Sequence, residues 1–563
     1  MSLARGDVPS CYLHDGRVTW SLVAMTALAS GGCGSRPSYW DSNVGTPTAQ
    51  GLANGVALVD DANHRAVLLT AEADQQLSRA SFSVGHQVRN VVASPDGKRL
   101  FVLSTGDWPR HSAGDERPSL TVIDTSSGAT PTRYPLPEPL PDLAIDPQGR
   151  YAVAYAGAQS TSASFVQNPN EIVLFDLKPS SQTDSPNPVS RSIRSFGGSP
   201  SRLTFTPELC VHAAISCAGK DGAPAPGQRR LLLIESDIDV TLLDLDHAFL
   251  ATPPAEITVR LTSGASARVV APRGLAVDGY DMSSPGDARI ALRTDDSNVF
   301  TILLGPSTGT PNDFAPTINL TDVGGAPSSI AFVHTDQGLR VAALVPSASN
   351  AVLVEPDTSL TTQIALPAPY ASMSLVTSVV DAASTAPSGT DTALLWGSAT
   401  GSGVAFWTLG KTVGQPYRSI EVLPDVTQPI RSVHDVPGKN PQLKVLELSQ
   451  GSGFLVLDLL ARTASPLHTA QTPTLAISPD GSGMWAFAPD GTDLARISFP
   501  SLTPLPLTTD LSIQAVYDVA RRDGGRALVA IHSRGTLGAT VFDADNPDTA
   551  TARRVPALLL EGP

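Results

Sequence analysis

One phrase recurs along this chain and constrains its fold more than any other feature. Its clearest copies are Val91-Val92-Ala93-Ser94-Pro95-Asp96-Gly97, Leu143-Ala144-Ile145-Asp146-Pro147-Gln148-Gly149 and Leu475-Ala476-Ile477-Ser478-Pro479-Asp480-Gly481. Each opens with an apolar stretch, breaks at a Pro-Asp-Gly-like turn and runs into a second apolar strand. A third strand follows and often ends in Asp, as in Leu120-Thr121-Val122-Ile123-Asp124. Repetition of this kind dictates an array of like units and rules out a single irregular core.

Complete units begin near residues 88, 141, 200, 271, 326, 372, 430, 473 and 515, nine in all. Val56-Ala57-Leu58-Val59-Asp60 and Ala66-Val67-Leu68-Leu69 read as the outer half of a further unit. Second strands resemble Leu231-Leu232-Leu233-Ile234, third strands Ile172-Val173-Leu174-Phe175-Asp176, and weaker fourth strands Glu256-Ile257-Thr258-Val259. A four-stranded antiparallel sheet with two apolar faces cannot bury both alone, so such sheets stack radially. The Asp-Gly step supplies the positive φ of a tight hairpin between the first two strands. The expectation is an all-β chain forming a single β-propeller of eight or nine blades, with two smaller rings as the alternative. The half-unit is expected to close the ring by pairing with C-terminal strands, leaving no open sheet edge. The nearest approach to a helical stripe, Glu72 to Ala80, is too short to form a lasting helix.

Composition agrees. Gly (46) and Pro (48) are abundant and only 16 % of residues are charged, a mix that suits short strands and many turns. The net charge of −15 repels phosphate backbones, and Arg521-Arg522 and Arg553-Arg554 are isolated pairs, so nucleic acid is excluded as a partner.

Ser94-Pro95-Asp96-Gly97-Lys98-Arg99-Leu100-Phe101-Val102, followed by Thr121-Val122-Ile123-Asp124, resembles the YVTN type of β-propeller repeat, a group that includes lactonase-like and surface-layer propellers. The resemblance is strongest over residues 88–180 and 473–500 and looser over 271–460.

The N-terminal segment argues for export. Arg17 precedes an apolar run from Val18 to Ala29 that gives way to Ser30-Gly31-Gly32-Cys33. The run is too short to span a bilayer permanently, and its order of charge, apolar core and small residues describes a signal peptide. Cys33 after small residues resembles a bacterial lipobox, although Ser30 stands where Leu is usual, with Leu28 two positions upstream. Asp7 and Asp15 are unusual in such a leader and point to a start codon downstream of Met1. An ordinary cleaved signal and a non-exported chain are the alternatives. Residues 1–33 are thus read as a signal with Cys33 as the lipid attachment point, 34–50 as a flexible tether and 51–563 as the propeller. Fully extended, the tether reaches about 60 Å. The expected address is the bacterial cell envelope, at the outer membrane, with the periplasmic or surface side left open.

Cys210 and Cys217 are the only cysteines in the body. In an oxidising compartment they form a local disulfide, which contributes about 2.5 kcal/mol on the chain-entropy model; two separate buried thiols are the alternative.

Three groups of residues could carry chemistry. The longest charged loop, 104–117, brings together Asp107, Trp108, Arg110, His111, Asp115 and Glu116 and is the candidate ligand or partner loop. Its alternative reading is a solvated loop whose charges pair locally. Asp237, Asp239, Asp244, Asp246 and His247 offer oxygen ligands that would suit Ca2+, but match no calcium-loop spacing. Because third-strand Asp recurs at Asp124, Asp176, Asp244, Asp458 and Asp543, it is read as a turn residue of the repeat, and neither cofactor nor metal is expected. Asp60, Asp61, Asn63 and His64 are ordinary turn chemistry. No His-Glu-x-x-His, nucleophile elbow or Walker loop occurs.

These features favour an envelope lipoprotein whose propeller serves as a non-enzymatic binding or assembly scaffold for an envelope protein or polysaccharide. The YVTN-type resemblance implies the alternative, a lactonase-like or other carbohydrate-processing hydrolase. Function is expected where the repeat is interrupted, at 104–117, 178–199 and Cys210 to Gly227.

Overall fold

The computed structural model describes residues 47–559 apart from 126–129, 158–167, 178–186, 212–227, 250–255, 262–271, 278–287, 307–313, 381–389, 411–418, 450–452, 468–472 and 533–536. Its strands form ten four-stranded antiparallel sheets, each a run of consecutive strands in the order first, second, third, fourth. Blade 1 consists of Thr48–Leu52, Gly55–Asp60, Arg65–Ala71 and Leu77–Ser83. Blade 2 consists of Val88–Ala93, Arg99–Ser104, Ser119–Asp124 and Thr132–Pro135, and the pattern continues to blade 10, which starts at Ile513–Ala520. Helix is almost absent from the described residues, with one α-helical turn at Thr377–Val380.

The phrase that marks the repeat folds the same way each time. In blade 2 the Gly97 amide donates to the Ser94 carbonyl at 2.8 Å, and the Ser94 amide donates to the Arg99 carbonyl at 2.8 Å. In blade 3 Gly149 donates to Asp146 at 2.7 Å, and in blade 9 Gly481 donates to Ser478 at 2.8 Å. The three glycines have φ of 66°, 65° and 68°, the left-handed conformation that an L-residue adopts only at a cost. Third-strand Asp is a turn cap in the same way: one oxygen of Asp458 accepts the amides of Leu460 and Ala461 at 2.9 Å, and Asp543 accepts that of Asp545 at 3.0 Å.

Both faces of each blade are apolar because each is covered by a neighbour. The ten apolar clusters among the described residues each join two blades. They run in order from blades 1 and 2 through blades 9 and 10. The tenth joins blade 10 back to blade 1, packing Val56, Leu58, Val67 and Leu69 on Val529, Ile531 and Val541. A sequence of contacts that returns to its start is a single ring, and the two-ring alternative is set aside.

Three expectations are corrected here. The blade count is ten, against eight or nine. The apparent half-unit at 56–69 is the middle of a full blade, and it pairs with Thr48–Leu52 and Leu77–Ser83 instead of C-terminal strands. The first of those strands begins inside the stretch 34–50 read as a tether. Closure is therefore face to face, with every blade keeping its own outer edge. Outer strands carry Pro135, Pro316, Pro466, Pro504 and Pro506, which cannot donate to an added strand. As expected, Glu72 to Ala80 forms no lasting helix: it is a 3-10 turn at Ala73–Gln75 followed by the strand Leu77–Ser83.

Polar contacts reinforce the seam. The Ala520 amide donates to the Ala53 carbonyl at 3.0 Å and the Arg522 amide to the Ala71 carbonyl at 3.1 Å. The Tyr517 hydroxyl donates to the Ala49 carbonyl at 3.1 Å. Buried Arg65, held by Asp60 at 3.2 Å, donates to the Leu559 carbonyl at 2.5 Å and ties the last described residue to blade 1.

Candidate functional site

Loop 104–117 connects the second and third strands of blade 2 and packs on the link from blade 1. Asp107 accepts from the Glu116 amide at 2.9 Å and meets His86 Nδ1 at 2.9 Å; both contacts lower its pKa, the amide most. Glu116 accepts from the His86 amide at 2.8 Å, lies 3.2 Å from His86 Nε2 and pairs with Arg133. The His86 ring rests on the His64 ring at a centroid distance of 3.8 Å. Asp115 turns inward on the loop: its carboxylate accepts from the Ser112 hydroxyl and from the amides of His111 and Ser112. These bonds, the hydroxyl first, pull its pKa down to about 2. Arg110 donates to the Asp115 carbonyl at 3.0 Å. Trp108 is half-buried and His111 exposed. The carboxylates that made this loop conspicuous therefore hold its shape and clamp the blade 1–2 link.

The acidic group of blade 4 is likewise engaged. Asp244, fully buried, faces Arg229 at 3.3 Å and His247 Nδ1 at 2.7 Å. Asp239 accepts from Ser195 and Ser236, and Asp246 from the Tyr151 hydroxyl and the Arg230 amide. Arg230, 2 % exposed, reaches across to the blade 3 turn and bonds Asp146 at 3.0 Å. Among the described residues no group of three or more His, Cys, Asp or Glu is placed to hold a metal ion. Cys210 is buried at the end of its strand and disulfide-bonded; its partner lies outside the described residues, as do Cys217, Cys33, 178–186 of the 178–199 interruption and 212–227 of the 210–227 one.

Sequence reasoning missed the channel wall at blades 7 to 9. First strands contact one another in succession from blade 9 through blades 10 and 1 to blade 3, and from blade 5 to blade 7, and so line the centre of the ring. There a cavity of about 530 Å³ is bounded by Ser374 and Trp396 of blade 7, Val433, His434 and Asp435 of blade 8, and Leu475 and Ile477 of blade 9. Beside it on blade 8, the Ser432 hydroxyl meets His434 Nε2 at 2.9 Å and Glu447 at 2.7 Å, and Arg431 pairs with Glu447 at 2.9 Å. A serine nucleophile needs its carboxylate on the far nitrogen of the imidazole. Glu447 instead approaches the same Nε2, at 3.9 Å, and takes the serine proton's hydrogen bond itself. This arrangement holds a polar surface in place and does not activate an alcohol.

The fold defines the chain as a ten-bladed β-propeller. No family model and no curated protein matches the sequence. Solved structures with similar architecture include a eukaryotic initiation factor, 13 % identical, covering 90 % of this chain and 96 % of that one with a TM-score of 0.41. Another is the WD40 domain of SCAP from fission yeast, 13 % identical, covering 83 % of each chain with a TM-score of 0.32. A third is Porphyromonas gingivalis dipeptidyl peptidase 4, 10 % identical, covering 92 % of this chain and 67 % of that one with a TM-score of 0.38. Likenesses of this depth carry no argument about function.

Proposed function

We propose that this protein is a lipid-anchored cell-envelope propeller of the YVTN type that acts as a non-enzymatic binding or assembly scaffold. The anchor is Cys33, at the end of the signal-like run, with an envelope protein or polysaccharide as the partner. Multiple acyl chains on one residue give lasting membrane attachment where a single chain gives only marginal binding. The observation that carries the scaffold reading is the commitment of the conspicuous charges. Asp107, Glu116, Asp115, Asp239 and Asp244 all hold turns, links or neighbouring blades, as a rigid platform requires.

The test is made in cells lacking the native protein. The full chain and Cys33→Ser are expressed, fractionated and cross-linked, alongside Ser432→Ala/His434→Ala. The expected result is a membrane-associated complex larger than the 563-residue chain alone, lost with Cys33→Ser. A membrane distribution unchanged by Cys33→Ser refutes the anchor. A hydrolase activity that the double variant abolishes refutes the scaffold.

A further inference from the structure

The geometry points to a binding subsite for a neutral saccharide in the channel wall, formed by Trp396, Ser374, His434 and Asp435 from two neighbouring blades and floored by Val433, Leu475 and Ile477. This goes beyond the anchored-scaffold reading and does not depend on it.

The cavity is built from residues that different blades bring to one place. Trp396 ends the second strand of blade 7, Thr392–Trp396, and is half-buried; it packs against the apolar cluster between blades 7 and 8. That packing fixes the indole while the ring still borders the cavity. Val433 leans on the same cluster, and Leu475 and Ile477 on the one between blades 8 and 9. The apolar lining is thus anchored in two blade interfaces and does not collapse inward. At about 530 Å³ the space falls within the range of small-molecule sites, which are typically 300–1,000 Å³.

The polar groups are few and partly uncommitted. The Ser374 hydroxyl is closed off just behind the lining with no hydrogen-bond partner among the described residues, a state that costs about 1–3 kcal/mol, and a turn about its χ1 brings it into the cavity to meet a ligand. His434 spends Nε2 on Ser432, which leaves Nδ1 for a ligand. Asp435, whose side chain is 80 % exposed, pairs through one oxygen with Lys444, and the other remains available. Lys444 is nearly buried while Asp435 is exposed, so the lining presents the carboxylate and not the ammonium to a ligand.

A saccharide matches this set. Its C–H face is apolar and would lie on the indole, while its hydroxyls both donate and accept. A flat apolar ligand would leave Ser374 and Asp435 unmatched, and a polyanion would meet the Asp435 carboxylate.

The test uses the full chain in detergent, with calorimetric titration of cellohexaose, maltohexaose and chitohexaose, and of hexagalacturonate as the anionic comparison. Saturable binding of at least one neutral oligosaccharide is expected, tighter than that of the anion. Trp396→Ala should weaken it by about tenfold or more, as loss of an aromatic anchor does. Trp396→Phe should weaken it less, because a ring remains, and Ser374→Ala should weaken it by a few-fold. Trp108→Ala, on the blade 2 loop, should leave it unchanged. If Trp396→Ala fails to fold, Trp396→Phe and Ser374→Ala carry the test. Absence of binding by all three neutral sugars at millimolar concentration overturns the inference. So does preference for the anion, binding indifferent to every Trp396 and Ser374 variant, or binding lost with Trp108→Ala.

Discussion

The turn glycines give the sharpest quantitative test of how the blades are joined. Gly481 has φ of 68°, and a Cβ built on it would lie 1.7 Å from the Pro437 carbonyl oxygen in the corresponding turn of blade 8. Gly438, with φ of 66°, faces Asp480 in return, its Cβ position 2.3 Å from that carbonyl oxygen. The two turns are thus back to back, and two hydrogen bonds to backbone carbonyls cross between them, Lys439 N–H to Asp480 at 2.9 Å and Asn440 Nδ2 to Gly481 at 2.8 Å, beside an exposed Lys439–Asp480 ion pair at 3.0 Å that adds little. Gly481→Ala must pay about 1 kcal/mol for a left-handed L-residue. It must also part the turns, losing two bonds worth about 1 kcal/mol each, so the total is about 3 kcal/mol. Gly524 supplies the control. Its φ is 90°, yet no atom lies within 4 Å of its Cβ position, so Gly524→Ala bears only the conformational cost of about 1 kcal/mol. Urea unfolding followed by circular dichroism reads both. The midpoint should fall two to three times further for Gly481→Ala than for Gly524→Ala. Equal shifts would refute the interlocking of turns between blades.

Arg230→Met leaves Asp146 buried without its cation and should cost about 3 kcal/mol, whereas Arg230→Met/Asp146→Asn should recover much of that, read by the same unfolding midpoints. Asp115 has a folded-state pKa of about 2, below its ordinary 3.8. Its hold on loop 104–117 is therefore complete above pH 4 or so and lost as pH falls through about 2. Amide exchange at His111 and Ser112 should accelerate over that window, and Asp115→Ala should show the fast rate at neutral pH. Unchanged rates in the variant would place the loop's order elsewhere.

Much of this architecture is legible in the sequence because a propeller blade repeats its chemistry as well as its shape. Positive φ at Gly97, Gly149 and Gly481 and the capping of turns by Asp458 and Asp543 are local requirements, so the residues announce them. Blade 1 was half hidden because its first strand, Thr48-Ala49-Gln50-Gly51-Leu52, is polar and small and lacks the Pro-Asp-Gly turn. Tertiary contact decides its state: Tyr517 of blade 10 lies against Gly51, with a ring carbon 2.8 Å from that glycine's Cβ position. The candidate loop 104–117 stood out by its charge density, but charge density does not distinguish a ligand site from a clamp. Only the positions of His86 and Arg133, outside the loop, show what Asp107 and Glu116 hold. The channel-wall cavity has no sequence signature. Asp435 and Ile477 share a repeat position, the end of a first strand, but unlike residue types stand there, and Trp396 comes from the end of a second strand in a third repeat.

The central structural claim is a single closed ring in which blade 10 packs on blade 1. Ala53 and Ala520 are far apart in sequence, and the amide of one donates to the carbonyl of the other at 3.0 Å. Ala53→Cys/Ala520→Cys, oxidised in the native state and run on a denaturing gel without reductant, should migrate as a compact looped chain. Reductant should return it to normal mobility, and each single variant should run normally throughout. A double variant that stays linear, or that links only between molecules, would contradict the closed ten-bladed ring.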